Sequence, residues 1–181
     1  MPIRVIAGEA RGRRLKASPG RGTRPTSDRL REALFAILEA HGADFTRVLD
    51  LYAGTGALGI EALSRGAGSC DFVEADASAC EVIRENLRLT GYSERGRVIC
   101  ATVARAAARL QGPYTLVVAD PPYEYDRAES ELADLIERGL LLPGGIVAVE
   151  HAKRREWPER LAGLKKLLTR RHGDSAVSLY Q

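Results

Sequence analysis

Apolar residues in this chain follow two alternating rhythms. Short β-prone runs occur at Val48–Leu51, Cys70–Glu74, Arg97–Ala101, Tyr114–Ala119 and Ile146–Val149. Between them lie longer stretches whose apolar positions repeat at helical spacing. The first such stretch can be capped by Thr26 or Ser27 and runs to about Ala40, with Gly42 ending it. Its Leu30, Leu34, Ile37 and Leu38 share one face, while Arg29, Arg31, Glu32 and Glu39 fall largely elsewhere. Ala57–Arg65 has helical character after the first run, and a helix starting at Asp76 or Ser78 and stopped by Gly91 follows the second. Asp76 reads as a cap rather than a ligand contact. An alanine-rich helix over Val103–Leu110 follows the third run, and an amphipathic helix over Arg127–Leu141 follows the fourth. Tyr114–Ala119 is β-branched and apolar throughout, which predicts burial on both faces.

The remaining punctuation completes the topology. Pro143-Gly-Gly145 predicts a turn, Trp157–Leu161 a short helix, and Leu164–Arg170 with Ser175–Tyr180 a hairpin around His172-Gly-Asp174. Strand–helix alternation followed by a terminal hairpin predicts an α/β chain whose sheet is mainly parallel with one antiparallel strand. At the other end, Ile3–Ile6 and Arg13–Lys16 flank the turn Ala7–Gly12. That hairpin is too small to bury much and must lean on something else. Ser18–Pro25, rich in glycine and proline, reads as a linker. The chain therefore divides into a basic arm over 1–25 and a main domain over 26–181.

Charge changes the picture more than composition does. Residues 1–31 carry nine Lys/Arg against Glu9 and Asp28, a net of +7; residues 151–181 carry a net of +5 and the middle a net of −9. Basic ends around an acidic middle suggest a polyanion gripped by the ends while another ligand occupies the middle. Arginine predominates in the arm, and its planar fork suits phosphate oxygens. No run of about 18 apolar residues exists, so nothing is expected to span a membrane, and Met-Pro-Ile-Arg lacks the apolar stretch of a signal peptide. Cys70, Cys80 and Cys100 have no metal-ligand spacing and are read as reduced core thiols in a cytoplasmic protein. His41, His151 and His172 are scattered, form no constellation and are expected at the surface.

Candidate chemistry lies at two strand ends. Gly54-x-Gly56-x-x-Gly59 makes a glycine turn between a strand and a helix, the device by which α/β sheets bring bare backbone up to a ligand. Glu74 lies 18 residues beyond Gly56, at the tip of the next strand, where a ribose hydroxyl is read. These spacings fit a nucleoside site and leave the cofactor open. Asp50, four residues before the first glycine, tilts the choice toward a cationic, amine-bearing ligand such as S-adenosylmethionine, since a pyrophosphate would gain nothing from it. The second end is Asp120-Pro-Pro-Tyr123, directly after the buried fourth strand. The prolines stiffen the backbone. Their carbonyls and the Asp120 carboxylate are expected as free acceptors, with the Tyr123 ring as a stacking face. A planar base with an exocyclic NH₂ needs that set.

Asp50-x-x-x-Gly54-x-Gly56 with Glu74 and Asp120-Pro-Pro-Tyr123 resembles the Rossmann-like, S-adenosylmethionine-dependent amino-methyltransferases. The N-terminal third is more telling. Arg4-Val-Ile-Ala-Gly8, Arg11-Gly12 with Leu15-Lys16, Thr23-Arg-Pro-Thr-Ser27 and Arg31-Glu-Ala-Leu-Phe35 resemble the RsmD family, bacterial 16S rRNA guanine-N2 methyltransferases acting on guanine 966. The resemblance covers nearly the whole chain. It implies a class I methyltransferase fold, a mostly parallel seven-stranded sheet with helices on both faces plus the small N-terminal β-hairpin. It implies that Asp50, Ala53, Gly54 and Gly56 hold the methionine part of the cofactor, that Glu74 takes the ribose hydroxyls, that Thr102 and Val103 face the adenine, and that Tyr52, Thr55 and Ala75 also bind the cofactor. Many relatives place Asp or Asn near Thr102. Asp120, Pro121, Pro122 and Tyr123 would seat the guanine, with Asp120 also at the cofactor. Arg4, Arg11, Arg13, Arg14, Lys16 and Arg24 would bind 16S rRNA or the assembling small subunit. No metal is implied, and the chain is read as a monomer. Three alternatives stand beside this: an adenine-N6 methyltransferase on DNA or RNA, an NAD-dependent oxidoreductase, and a non-catalytic RNA-binding module.

Overall fold

The computed structural model describes residues 2–19 and 26–181. Arg24 and most of the expected linker lie outside the described residues. The elements run β1 (Ile3–Arg4), β2 (Arg14–Leu15), α1 (Asp28–Ala40), β3 (Arg47–Leu51), α2 (Ala57–Ser64), β4 (Ser69–Glu74), α3 (Ala77–Thr90), β5 (Gly96–Cys100), α4 (Val103–Ala106), β6 (Tyr114–Ala119), α5 (Ala128–Glu137), β7 (Leu141–Ala152), β8 (Arg160–Leu161), β9 (Leu164–His172) and β10 (Ser175–Tyr180). Where helix ends follow local chemistry, the cause is visible. The Ser27 hydroxyl accepts the Leu30 N–H to open α1, Asp76 does the same for Ala79 at α3, and Gly91 closes α3 in the left-handed region.

One sheet carries the order β5-β4-β3-β6-β7-β10-β9-β8, and β1 and β2 pair separately. β3 to β7 are parallel, and β10 lies antiparallel between β7 and β9. The seven expected strands are there with one of them reversed. The two-residue β8, antiparallel to β9, adds an eighth at the edge. From β3 the chain moves outward to β4 and β5, then returns to β6 on the other side of β3. This reversal leaves a crevice beyond the carboxyl ends of β3 and β6, where open α/β sheets bind ligands.

Strand residues alternate between two cores, as the period of two requires. Val48, Phe72, Leu116, Val118, Ile146 and Ala148 face the core shared with α1, α2, α3 and the hairpin. Leu49, Leu51, Val73, Val117, Ala119, Val147 and Val149 face the core shared with α4 and α5. Both faces of the sheet are thus covered by helices.

The N-terminal hairpin leans on α2 and α3. Ile3, Val5, Ala10 and Leu15 join the first core. The buried Glu61 carboxylate accepts the N–H groups of Ile6 and Ala7 at 2.9 and 3.0 Å, and Ser64 Oγ accepts from Ala10 N–H while donating to Ala7 O. Asn86 accepts the Lys16 N–H and donates to the carbonyls of Lys16 and Thr55. Thus one amide ties the arm to the glycine turn.

Several expectations are corrected. Arg31, placed off the apolar face of its helix by the sequence pattern, is 1% exposed. Its guanidinium donates to Arg4 O and Asp28 and lies 3.7 Å from Glu61, while burial lowers its pKa. His151 is buried too, hydrogen-bonded to Ser178 Oγ at 2.8 Å and beside the Trp157 ring. Cys100 is exposed, whereas Cys70 and Cys80 are core. The Arg127–Leu141 helix stops at Glu137 because Gly139 turns left-handed, and only the first turn of Val103–Leu110 is α-helical. Pro143-Gly-Gly145 lies inside β7: Leu141 pairs with Tyr114 and Ile146 with Leu116, so the turn residues bulge out of a continuing ladder. Trp157–Leu161 forms no helix; Ala162 and Gly163 reverse the chain so that Arg160–Leu161 pairs with β9. Among the described residues no helix is long and apolar enough to cross a membrane.

Gly8 gives the docking a direct test. Its φ is +83°, and a Cβ there would lie 1.9 Å from the backbone carbonyl oxygen of Ser64. Gly8→Ala is expected to cost about 2–4 kcal/mol in urea unfolding, from overpacking plus left-handed backbone strain. An unchanged midpoint would show that the arm does not dock on α2 as described.

Candidate functional site

Four strand tips open into one cleft of about 1370 Å³. It is lined by Asp50 near the end of β3 and Tyr52–Thr55 after it, Glu74–Asp76 at β4, Ala101–Val103 after β5, and Asp120–Tyr125 after β6. Ala17–Pro19, Thr26, Ser27 and Arg29–Arg31 also border it, as do Glu150 and Ser175. A volume of this size exceeds what one drug-sized ligand needs and accommodates a nucleoside cofactor together with a second flat group.

At the β3 tip, Asp50 is 1% exposed. Its Oδ2 accepts the Gly59 N–H at 2.9 Å, and Oδ1 is buried with no hydrogen-bond partner among the described residues. Burial pushes its pKa well up, the Gly59 N–H opposes this, and the charges of Asp120 and Glu74 add to the rise. A buried carboxylate oxygen left unpaired is costly, so a cation or amine donor meeting it would be favoured. Gly59 is glycine because a Cβ would sit 2.3 Å from the Phe72 ring, and Gly56 and Gly54 both have positive φ. Glu74 accepts the N–H of Gly54 at 2.8 Å through one oxygen and that of Asp76 at 3.0 Å through the other. The β4 acid therefore braces the glycine turn, and each oxygen keeps a further lone pair for a ligand hydroxyl. Tyr52, at φ +55°, donates its hydroxyl to Glu131, which Tyr125 also reaches, and the two rings meet edge-on at 5.7 Å. Burial and the Glu131 carboxylate hold the Tyr52 hydroxyl far above its ordinary pKa. These residues fit S-adenosylmethionine in kind: an unpaired buried acid for a positive group, Cβ-free backbone, and an acid for hydroxyls.

The Thr102 hydroxyl caps α4, accepting the Arg105 N–H at 3.3 Å, and Val103 is buried beside it. Ala53, Thr55 and Ala75 border the cleft, where the two alanines can offer a ligand only backbone groups and a methyl surface. Asp76 is the cap it was expected to be.

At the β6 tip the Asp120 carboxylate faces the cleft, Pro121 is buried and Pro122 is exposed. Two of the expected free acceptors are engaged, one oxygen of Asp120 by the Thr26 hydroxyl and the Pro122 carbonyl within its own turn. That carbonyl accepts the Tyr125 N–H at 2.9 Å. Tyr123 is half-buried, its hydroxyl bonded to Ser175 Oγ on β10.

Three residues absent from the sequence-derived site join Asp120. The Thr26 hydroxyl lies 2.8 Å from Asp120 Oδ2 and 3.0 Å from Glu150 Oε2. Ser175 and Tyr123 also hydrogen-bond the Glu150 carboxyl. Burial pushes Asp120 up to about 6, against the Thr26 hydrogen bond. Burial, then the Asp120 charge, pushes Glu150 up to about 8. Glu150 ends an apolar strand run as Asp50 and Glu74 do, and that pattern marks it. Thr26 could be found only by asking what the unused capping candidate does once Ser27 takes the cap.

Of the basic residues, Arg4, Arg11, Arg13, Arg14 and Lys16 are all exposed on the hairpin. Arg4 meets Asp28 at 3.3 Å, Arg13 donates to Leu89 O, and Lys16 lies 3.5 Å from Glu85. The hairpin borders the cleft through Ala17–Pro19.

Comparison with known proteins gives a consistent result. Residues 3–181 match the family model described as conserved hypothetical protein 95. Ribosomal RNA small subunit methyltransferase D of Escherichia coli (strain K12) is 34% identical over 179 residues, spanning 99% of this chain and 89% of that protein. The Haemophilus influenzae protein of the same name is 35% identical over 184 residues, spanning 99% and 93%. The solved structure of yhhF from Escherichia coli has a TM-score of 0.84 at 33% identity, covering 100% of this chain and 98% of that one.

A raised carboxyl pKa means that the folded chain keeps a proton the unfolded chain releases. Between the ordinary glutamate range and about pH 8, stability should therefore fall as pH rises. Glu150→Gln, which cannot ionise, is expected to flatten this fall in the urea midpoint by on the order of 1–3 kcal/mol across the window. A variant slope equal to the wild-type slope would show Glu150 ionised throughout.

Proposed function

The chain belongs to the RsmD family, and from that premise we propose that it transfers a methyl group from S-adenosylmethionine to N2 of a guanine in 16S rRNA, at position 966. The observation that carries this reading is the shared cleft. The glycine turn with its unpaired Asp50 oxygen and the Asp120-Pro-Pro-Tyr123 turn line its walls from adjacent parallel strands.

Asp50, Ala53, Gly54 and Gly56 would hold the methionine part, Glu74 the ribose hydroxyls, Thr102 and Val103 would border the adenine, and Tyr52, Thr55 and Ala75 would also bind the cofactor. The cofactor supplies a methyl group activated on a sulfonium. The rest is work for this chain's own residues. The guanine amino group is a poor nucleophile because its lone pair is delocalised into the ring. Hydrogen bonds from that NH₂ to the Asp120 carboxylate and the Pro121 carbonyl favour a more pyramidal nitrogen and stabilise the positive charge that develops on it. Holding amino group and methyl in line supplies much of the remaining rate. The nitrogen becomes acidic as it gains its new bond, and its proton passes to Asp120 or water. Tyr123 offers its ring to a base taken out of the stack. The exposed arginines and lysine of the hairpin bind phosphates beside the cleft mouth. The protein is read as a cytoplasmic monomer acting on rRNA or the assembling subunit.

An adenine amino group would also fit Asp120-Pro-Pro-Tyr123. Mass analysis of the nucleosides from methylated small subunits and free rRNA, followed by mapping, separates the two. N2-methylguanine at position 966 is expected, and N6-methyladenine would replace this reading by its rival. A dinucleotide oxidoreductase would need a second helix-linked parallel half, and an antiparallel β10 lies there instead.

Asp120→Ala is expected to lower transfer by about 100-fold or more with little change in S-adenosylmethionine affinity by calorimetry. Near-normal turnover would remove Asp120 from the chemistry. Neutralising Arg11, Arg13 and Arg14 together should weaken RNA binding and reduce its salt dependence by roughly one unit of slope for each phosphate no longer neutralised. An unchanged slope would leave the hairpin outside the RNA interface.

A further inference from the structure

We infer that Glu150 is a positioning residue that keeps its proton and, through the Thr26 hydroxyl, holds Asp120 as the ionised acceptor for the amino group of the base. This rests on the reading above that Asp120 seats that group.

Counting protons decides the pattern. The Thr26 hydroxyl lies within hydrogen-bond distance of two carboxyl groups, 2.8 Å from Asp120 and 3.0 Å from Glu150. A hydroxyl has one proton to donate. If both acids were ionised, one of the two contacts would set oxygen against oxygen with nothing between them, next to a buried charge, which is costly. A single carboxyl proton resolves this and gives the contacts one direction. One acid donates to Thr26 Oγ, and Thr26 donates to the other acid.

Which acid holds the proton follows from their surroundings. Both acids border the cleft, but Glu150 is 6% exposed whereas Asp120 is only half-buried. The charge is better placed on the group that meets water or substrate. The shifts run the same way: burial and the Asp120 charge carry Glu150 up to about 8 against the opposing Ser175 and Tyr123 hydroxyls, and Asp120 rises only to about 6. The resulting chain is Glu150 carboxyl to Thr26 hydroxyl to Asp120 Oδ2. It leaves Asp120 Oδ1 to accept an N–H from the base.

Two consequences follow. The seat presents one negative charge rather than two to an incoming polyanion. Thr26 stands immediately before the Ser27 cap of α1, so the segment returning from the arm is fastened to the acid at the reacting end of the cleft. The proton released from N2 after transfer goes to Asp120 and then to water, and the Glu150 proton is not consumed.

The test uses the full-length protein with small subunits or 16S rRNA as substrate. Difference infrared spectroscopy between wild type and Glu150→Gln at neutral pH should show the carbonyl stretch of one un-ionised carboxylic acid, lost in the variant. Gln is isosteric and can donate an N–H to Thr26, so Glu150→Gln should keep kcat within about fivefold. Glu150→Ala and Thr26→Val should lose about 100-fold in kcat with the KM for S-adenosylmethionine unchanged. Absence of the un-ionised acid band, or a Gln variant as impaired as the Ala variant, overturns the proposal. Should Glu150→Ala fail to fold, the Gln and Thr26→Val variants carry the test. Failure of the functional reading looks different: the wild type would not methylate rRNA guanine although the infrared band persisted.

Discussion

The site depends on the pairing of β3 with β6. The ladder from Val48 opposite Leu116 to Leu51 opposite Ala119 is short, parallel and buried on both faces. Because the two strands run in register and end together, the glycine turn after one and Asp120-Pro-Pro-Tyr123 after the other must open into the same crevice. A one-residue slip would move every apolar side chain in β3 to the wrong core. Register is therefore fixed by burial, and the juxtaposition of the two turns comes with it. Gly59 matters for the same reason: without a Cβ it lets α2 approach the Phe72 ring, which brings the first turn of the helix and the Asp50 carboxylate together.

Buried carboxyl groups are the second organising feature, and the fold satisfies each differently. Glu61, fully buried, accepts two hairpin N–H groups and meets Arg65 at 3.0 Å and Arg31 at 3.7 Å. Its partners offset the desolvation, and removing any of them would strand a charge. Asp50 has one backbone donor and one unpaired oxygen at the cleft. Asp120 and Glu150 share a hydroxyl. The first arrangement is structural, fastening the arm to α2. The other two lie at strand tips, where an unpaired or half-paired acid has a use.

Much of this is legible in the chain. The strands β3 to β6, the capped helices α1 and α3 and the terminal hairpin follow from apolar period, caps and glycines, which are local signals. The glycine turn, Glu74 and the Asp120 turn are legible because each motif is contiguous or regularly spaced. Other features depend on distant partners. Arg31 reads as a helix position off the apolar face until Glu61 and the Arg4 carbonyl are seen beside it. His151 reads as a loose strand end until Ser178 and Trp157 cover it. Trp157–Leu161 carries helix-compatible residues, yet the Ala162-Gly163 reversal and pairing with β9 decide its conformation. Glu150 is marked in its own segment only as an acid ending an apolar run; that it meets Thr26 and Asp120 follows because β7 lies beside β6 and α1 begins over both tips.

If methyl donor and amino-bearing base occupy neighbouring tips of one sheet, a crystal structure of the protein with S-adenosylhomocysteine bound tests that placement most directly. The amino acid portion is predicted to lie against Asp50 and Gly54–Gly56, the ribose at Glu74, and the sulfur facing the Asp120–Tyr123 turn. Nucleoside density elsewhere, or a sulfur turned away from Asp120, would contradict it.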